Sequence, residues 1–385
     1  MYKIICCLIL CLLSLQLAAQ AVTGYVYEDR NKNGTKENNE PGIKGVTVSN
    51  QQSVVVTNEN GMYTIPGKGF GIIFISMPDG YTTKTFWQNA TTTSLHFALT
   101  KKSSPATFQF IHASDTHISE ASIGRMDKFR AVADSVNPDL VLITGDLVKD
   151  ALRVNEKEAT RLYQLFASES AKLKSSLWLA PGNHEIFGIE RHLSLVSPKN
   201  PLYGRNMYRH FFGPDYYSFN YGGVHFIALN SLEFEDLWYY GRIDSVQIEW
   251  LKNDLAVISK SMPIVAFQHV PFYSGGMSME NFTEEGPGRS LEREHGVVQF
   301  RHVVSNADEI MTIFKPYNYI LSLAGHYHYR QLFSVEGVKT RFEQTAAVIA
   351  PVKLPYAILP SGVTVYKVVN GKIDAGHFIP LSEKK

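Results

Sequence analysis

Hydrophobic and polar positions follow one another in two textures along this chain. From 22 to 100, short alternating runs are broken by Gly, Asn and Asp. The segments 22–29 (VTGYVYED), 44–50 (KGVTVSN), 53–58 (SVVVTN), 61–67 (GMYTIPG) and 71–80 (GIIFISMPDG) read as closely spaced strands with turn residues between them. From 107 onward, apolar runs alternate with stretches of helical period. Strands are expected at 107–113, 140–143, 177–180, 224–229, 263–267 and 319–323, and helices at 123–136, 156–173 and 245–258. Residues 186–222 show no clear period, and 271–300 read as a long loop. The runs 332–345 and 362–373 alternate as antiparallel strands, the latter turning at Asn370-Gly371. The pattern predicts a small all-β sandwich at 22–100, a polar linker at 101–106 (KKSSPA) and a layered α/β domain at 107–385.

Residues 1–21 stand apart. Lys3 is followed by an almost wholly apolar run from 4 to 17 and then by Ala18-Ala19-Gln20-Ala21. The run is short for a membrane span and ends in small residues, which predicts a secretory signal peptide and a secreted or periplasmic protein. All three cysteines, Cys6, Cys7 and Cys11, fall inside it. Leu10 before Cys11 makes lipid anchoring the minor reading. The mature chain then has no thiolate for a disulfide, a metal site or a nucleophile, so any metal must be held by imidazole, carboxylate and amide. No transmembrane segment is expected after cleavage. A formal charge of +1 with no basic block disfavours an obligate nucleic-acid partner. Apolar residues at 44% allow a sizeable core. Oligomeric state is left open.

Within the first domain, Asp29, Asn31, Asn33, Gly34 and Glu40 have the spacing D-x-N-x-N-G-x5-E, that of a calcium loop whose glycine makes the sharp turn. The flanks are strands rather than helices, so two readings stand: a calcium site in a β-domain, or a polar hairpin whose side chains satisfy local backbone.

The second domain carries its polar chemistry at strand exits. Asp115-Thr116-His117, Gly145-Asp146, Gly182-Asn183-His184-Glu185, His269 and Gly325-His326-Tyr327-His328 each follow an apolar run, the place where α/β proteins put their ligands. A carboxylate shared by two cations about 3.5–4 Å apart is the heart of a two-metal hydrolytic site. Imidazole, carboxylate and amide oxygen together suit Mn, Fe, Zn, Ni or Co rather than calcium. Any one of these histidines alone is more often structural, and His112, His192, His210, His225 and His302 are read that way. Five motifs in one order are not readily a coincidence.

That order, D-x-H, G-D, G-N-H-[DE], H, G-H-x-H, resembles the calcineurin-like metallophosphoesterases over about 107–345. The resemblance implies a four-layer αββα sandwich with a dinuclear centre. It places Asp115, His117, Asp146 and His328 on one metal, and Asp146, Asn183, His269 and His326 on the other. His184 would not be a ligand but would stabilise charge or protonate the leaving oxygen while a metal-bridging hydroxide attacks phosphorus. Glu185 stands where Asp is commoner; it has the group to orient His184, but its extra methylene leaves that pairing open. The first domain is similar to the prealbumin-like or surface-repeat B-type β-modules that precede secreted enzymes, and members so built can carry a further C-terminal domain that this chain is expected to lack. The expected function is hydrolysis of small-molecule phosphoesters. Alternatives are a phosphodiesterase for nucleotide or lipid head-group diesters, and, in another class, a catalytically silent surface-binding protein, which predicts a broken ligand set. The aromatic-rich segment 203–221 and the loop 273–300 are expected to shape the pocket, and Arg289 and Arg293 are candidate substrate contacts, with solvated loop charge the commoner reading of such residues.

Overall fold

A computed structural model describes residues 20–276, 291–294 and 296–381. Its chain divides into two compact units, 1–77 with 81–102 and 78–80 with 103–385. The signal segment (apart from Gln20 and Ala21) and Arg289 lie outside the described residues, as does the side chain of Arg293.

The first unit is all β. One four-stranded sheet runs Met62–Ile65, Val22–Glu28, Phe97–Lys101, Tyr81–Thr82, and the other Val54–Val56, Thr47–Ser49, Ile72–Ile75, Trp87–Asn89. Val26, Val48, Ile65, Ile73 and Phe97 are fully or almost fully buried in it. Alternation shows why: in Met62–Ile65 every second residue turns inward.

In the second unit two six-stranded sheets carry the site. The first runs Ser176–Ala180, Leu140–Thr144, Thr107–Ala113, Gly362–Val369 and Lys372–Ile373, with His377–Pro380 also on Gly362–Val369. The second runs Tyr217–Tyr221, Val224–Ala228, Pro263–Phe267, Asn318–Ala324, Arg341–Gln344 and Gln331–Phe333. Ile111, Ala113, Val141 and Ile143 share a core with Phe129, Tyr163 and Phe166 of the helices Ile123–Val136 and Glu156–Ser170. The alternate residues face the other sheet: Phe110 meets Phe226 edge-on at 5.8 Å, and Trp178 stacks on Phe219 at 3.8 Å. On the far face of the second sheet, Asp254 of helix Ser245–Ala256 receives Ser218 Oγ at 2.7 Å and sits 2.9 Å from His225 Nε2. Phe314 of helix Ala307–Phe314 stacks on Tyr319 at 4.1 Å. Helices thus cover both outer faces, giving the αββα sandwich.

Helix ends follow local chemistry. Asn155 and Asp244 accept the N–H of Glu158 and Gln247 as N-caps, and Asn137 ends its helix with φ of 49°.

Three expectations need correction. The stretch 271–300 contains a hairpin, Leu291–Glu294 with Val297–Phe300, and is not loop throughout. Helix Ala307–Phe314 was absent from the predicted elements, because eight residues give too few turns to reveal a period. The segment 203–221 does not spend its aromatics on a pocket. Phe211 and Phe212 of helix Asn206–Phe212 pack on Tyr163 at 5.0 and 5.4 Å, and Tyr208, Tyr216 and Tyr217 are buried.

Candidate active site

The strands Thr107–Ala113, Leu140–Thr144, Ser176–Ala180, Pro263–Phe267 and Asn318–Ala324 all release their chains toward one place. Backbone hydrogen bonds stitch these exits together: Asp115 N–H to Gly145 O, His117 N–H to Asp146 O and Gly325 N–H to His269 O, at 3.0, 2.9 and 3.0 Å. The turns are sharp. Asp115, His117, Asp146, His326 and His328 all have left-handed φ, between 39° and 75°. Asp and His tolerate that region better than most residues, yet each costs about 1–3 kcal/mol, and such strain gathers at functional sites.

Each aspartate divides its two oxygens. Asp146 Oδ1 accepts the backbone N–H of His184 at 3.0 Å, and Asp115 Oδ2 accepts that of His326 at 3.2 Å. These contacts need glycine next door, since a Cβ on Gly182 would lie 2.3 Å from Asp146 Oδ1 and one on Gly325 1.8 Å from Ser114 Oγ. The other oxygens face inward. Asp146 Oδ2 stands 3.5 Å from His117 Nε2 and 3.3 Å from His269 Nε2. Asp115 Oδ1 is buried with no hydrogen-bond partner and lies 3.2 Å from His328 Nε2. His117 Nε2 and His328 Nε2 are 3.2 Å apart, His269 Nε2 and Asn183 Oδ1 3.1 Å, and His269 Nε2 and His326 Nδ1 3.1 Å.

Donors about 2.0–2.2 Å from a common cation stand about 3.0–3.5 Å from each other. The observed spacings match that geometry, and two groups result: Asp115, His117, Asp146 and His328, and Asp146, His269 and His326, with Asn183 Oδ1 beside the second. The residues present therefore fit a pair of cations. His269 Nδ1 donates to Thr144 O at 2.8 Å, so Nε2 is the nitrogen turned inward, and the neutral ring would offer its lone pair there.

Electrostatics of the centre follow from crowding. Burial works against the charge of Asp146, but the imidazoles of His269, His184 and His117 outweigh it and hold the carboxyl well below its ordinary range. Burial also pulls His269 down, yet the Asp146 and Asp115 carboxylates lift it to about 9. His117 is pushed down to about 4, first by burial and then by neighbouring His184.

His184 stays at the edge of the cluster. Its Nδ1 donates to Lys149 O at 2.6 Å, and its Nε2 lies 3.8 Å from Asp146 Oδ2. The carbonyl of Lys149 therefore sets its ring, which settles the pairing that the extra methylene of Glu185 left open. Glu185 is buried and turns away: Oε1 accepts the N–H of Leu147 and Val148 at 2.8 and 3.0 Å, and Oε2 that of Gly182 at 2.7 Å. It clamps the loop bearing Asp146 to the turn bearing Asn183 and His184. Burial and the charge of Asp146 raise its pKa to about 8 against the pull of these donors.

The chain matches the model described as calcineurin-like phosphoesterase over residues 108–330, more than half its length. It belongs to the calcineurin-like phosphoesterase family. Such enzymes are phosphoric ester hydrolases that use a dimetal centre. A second model, the N-terminal part of calcineurin-like phosphoesterases, matches residues 30–114. Purple acid phosphatase 13 of Arabidopsis thaliana is 33% identical over 119 residues, 30% of this chain and 20% of that protein. Purple acid phosphatase 15 of the same plant is 43% identical over 61 residues, 15% and 10% of the two chains. The chain thus matches over a fifth or less of the length of these relatives. Among solved structures, a purple acid phosphatase from yellow lupin seeds aligns with a TM-score of 0.47 at 13% identity, over 94% of this chain and 69% of that one. A dimetal phosphatase from Danio rerio aligns with a TM-score of 0.46 at 12% identity, over 71% and 99%.

The predicted calcium residues lie in the first unit and form a closed turn. Asp29 accepts the N–H of Asn33 and Gly34, Asn31 that of Asn33, Asn33 that of Thr35, and Glu40 those of Arg30 and Glu37. Of the five histidines read as structural, His112 and His225 are buried and His192 and His210 exposed. His302 is different. Its Nδ1 lies 2.6 Å from His326 Nε2, a neighbour that no motif or spacing announces.

Proposed function

We propose that this chain hydrolyses small-molecule phosphoesters at two divalent transition-metal ions. One would be held by Asp115, His117, Asp146 and His328, the other by Asp146, Asn183, His269 and His326. The observation that carries the reading is Asp146 Oδ2, set between His117 Nε2 at 3.5 Å and His269 Nε2 at 3.3 Å, so that one oxygen serves both donor groups. Bound there, the ions would supply Lewis acidity toward the phosphoryl oxygens and a water activated as nucleophile near neutral pH. The donor types favour Zn, Fe, Mn, Ni or Co.

The remaining work falls to the protein. The His184 N–H on Asp146 Oδ1 and the Glu185 clamp keep the shared carboxylate in place. His184 Nδ1 is committed to Lys149 O, so Nε2 is the atom that faces the cluster, and in its imidazolium form it would donate to a phosphoryl oxygen or protonate the departing one. The complete set of donors speaks for an enzyme over a silent binding scaffold. We place the protein in a secreted or periplasmic setting on the strength of residues 1–21, testable by the N-terminal mass of the exported chain. We also propose calcium in the loop 29–40, supported by the ligand spacing.

The test is hydrolysis of p-nitrophenyl phosphate and bis-p-nitrophenyl phosphate by metal-stripped protein titrated with each ion. Metal-dependent turnover is expected, and the preferred ester separates the monoesterase from the diesterase reading. Silence on both esters with no ion bound would sink the proposal.

A further inference from the structure

An imidazole that offers Nδ1 to a cation must keep its proton on Nε2, and that proton needs an acceptor. For His269, whose inward atom is Nε2, the outer N–H goes to a main-chain carbonyl, Thr144 O. His326 is the reverse case. Its Nδ1 faces inward, 3.1 Å from His269 Nε2, and its Nε2 lies 2.6 Å from His302 Nδ1, with the two rings stacked at 4.9 Å and 29°. Here the partner is a side chain, which mutation can remove.

The segment bearing His302 is held from two sides. Val304 N–H donates to Pro271 O at 2.9 Å and Ser305 N–H to Gly241 O at 2.8 Å. The Arg301 guanidinium lies over the Tyr239 ring at 4.2 Å, and that ring stands edge-on to His326 at 6.5 Å. His302 is thus fixed in place by contacts that do not depend on His326.

We infer that His302 is a positioning residue: it accepts the Nε2 proton of His326, fixes that ring in the form that presents Nδ1 inward, and so sets the affinity of the second cation group. Partners of this kind outside the ligand shell change metal affinity about 10–100-fold when lost. The inference rests on the two-ion reading above. His302 meets the cluster at His326, a donor of the second group, so the loss should fall there rather than on the first.

The experiment is calorimetric titration of metal-stripped, full-length wild type, His302→Phe and His302→Gln with Mn and Zn, alongside melting curves. Phenylalanine keeps the ring but accepts nothing; the glutamine carbonyl can accept the proton. His302→Phe should bind the first ion as wild type does and the second about 10–100-fold more weakly, with kcat restored at high metal concentration and KM for p-nitrophenyl phosphate unchanged. His302→Gln should recover most of the second affinity. Two wild-type affinities in His302→Phe would overturn the inference, as would equal losses in both variants or at both sites. A wild-type protein that binds fewer than two ions would instead bring down the two-ion reading itself, and this inference with it.

Discussion

Two loops in this molecule have the side chains of a cation site, and they use them in opposite ways. In the loop 29–40, both oxygens of Asp29 and both of Glu40 accept backbone N–H groups, and so do the amide oxygens of Asn31 and Asn33. At the strand exits, Asp115 and Asp146 each give one oxygen to a backbone N–H and turn the other toward imidazole nitrogens. In the first loop each of these oxygens already has an N–H donor. The second gathers lone pairs at 3.1–3.5 Å with left-handed turns at five of its residues. Ligand spacing in a sequence cannot tell these cases apart. What matters is where the neighbouring N–H groups point.

The comparison breaks most sharply at Asp146. Asp146→Asn should lower kcat by at least about 10³-fold and cost both ions, because one oxygen serves both groups; elemental analysis beside the esterase assay checks it. A variant that keeps two ions and full turnover would remove the shared carboxylate from the argument. His184→Ala should keep both ions yet lose about 10²–10⁴-fold in kcat, the usual share of a positioned acid. Near wild-type turnover there would confine His184 to its contact with Lys149 O.

A smaller effect separates the fold behind the centre from the centre itself. Burial holds the His112 imidazole down to about 3, although Asp115 pulls the other way, while Nε2 sits 2.9 Å from Thr144 Oγ1. An unfolded histidine titrates near 6.5, so above that pH the group is neutral in both states and contributes no slope. Between about 6.5 and 3 only the unfolded chain takes the proton, and stability falls by up to about 1.4 kcal/mol per pH unit as pH drops. His112→Gln should flatten the pH dependence of denaturant midpoints between 6.5 and 5; an unchanged slope would place the acid sensitivity elsewhere. The smallest effect is expected at the N-terminal loop. Millimolar calcium should raise the melting temperature of the full chain less than the transition ions do, since it must share oxygens already accepting N–H groups, and Asp29→Asn should abolish that rise. No rise at all would leave the loop a turn.

Much of this was legible in one dimension. Apolar runs ending in Asp115, Asp146, Asn183, His269 and His326 announce strand exits, because burial on both faces of a strand demands an unbroken apolar stretch. Gly182 and Gly325 beside them mark backbone passing within contact of a carboxylate or hydroxyl. The aromatics of 203–221 were less legible, since the same residues suit a pocket or a core. Only packing against Tyr163 assigns them.

By itself, then, the sequence determined the α/β class, the order of the strand exits and the donors each one carries. These are local matters, set by periodicity, turn chemistry and residue type within a few positions. Tertiary structure decided which atoms of those donors remain available. It turned Glu185 onto the N–H groups of Leu147, Val148 and Gly182 rather than onto His184, and it handed the His184 ring to the Lys149 carbonyl. It also brought His302 against His326 across 24 positions of chain. The physical reason is that a hydrogen bond takes its partner from whatever the fold places within about 3 Å, and no short-range pattern records that distance.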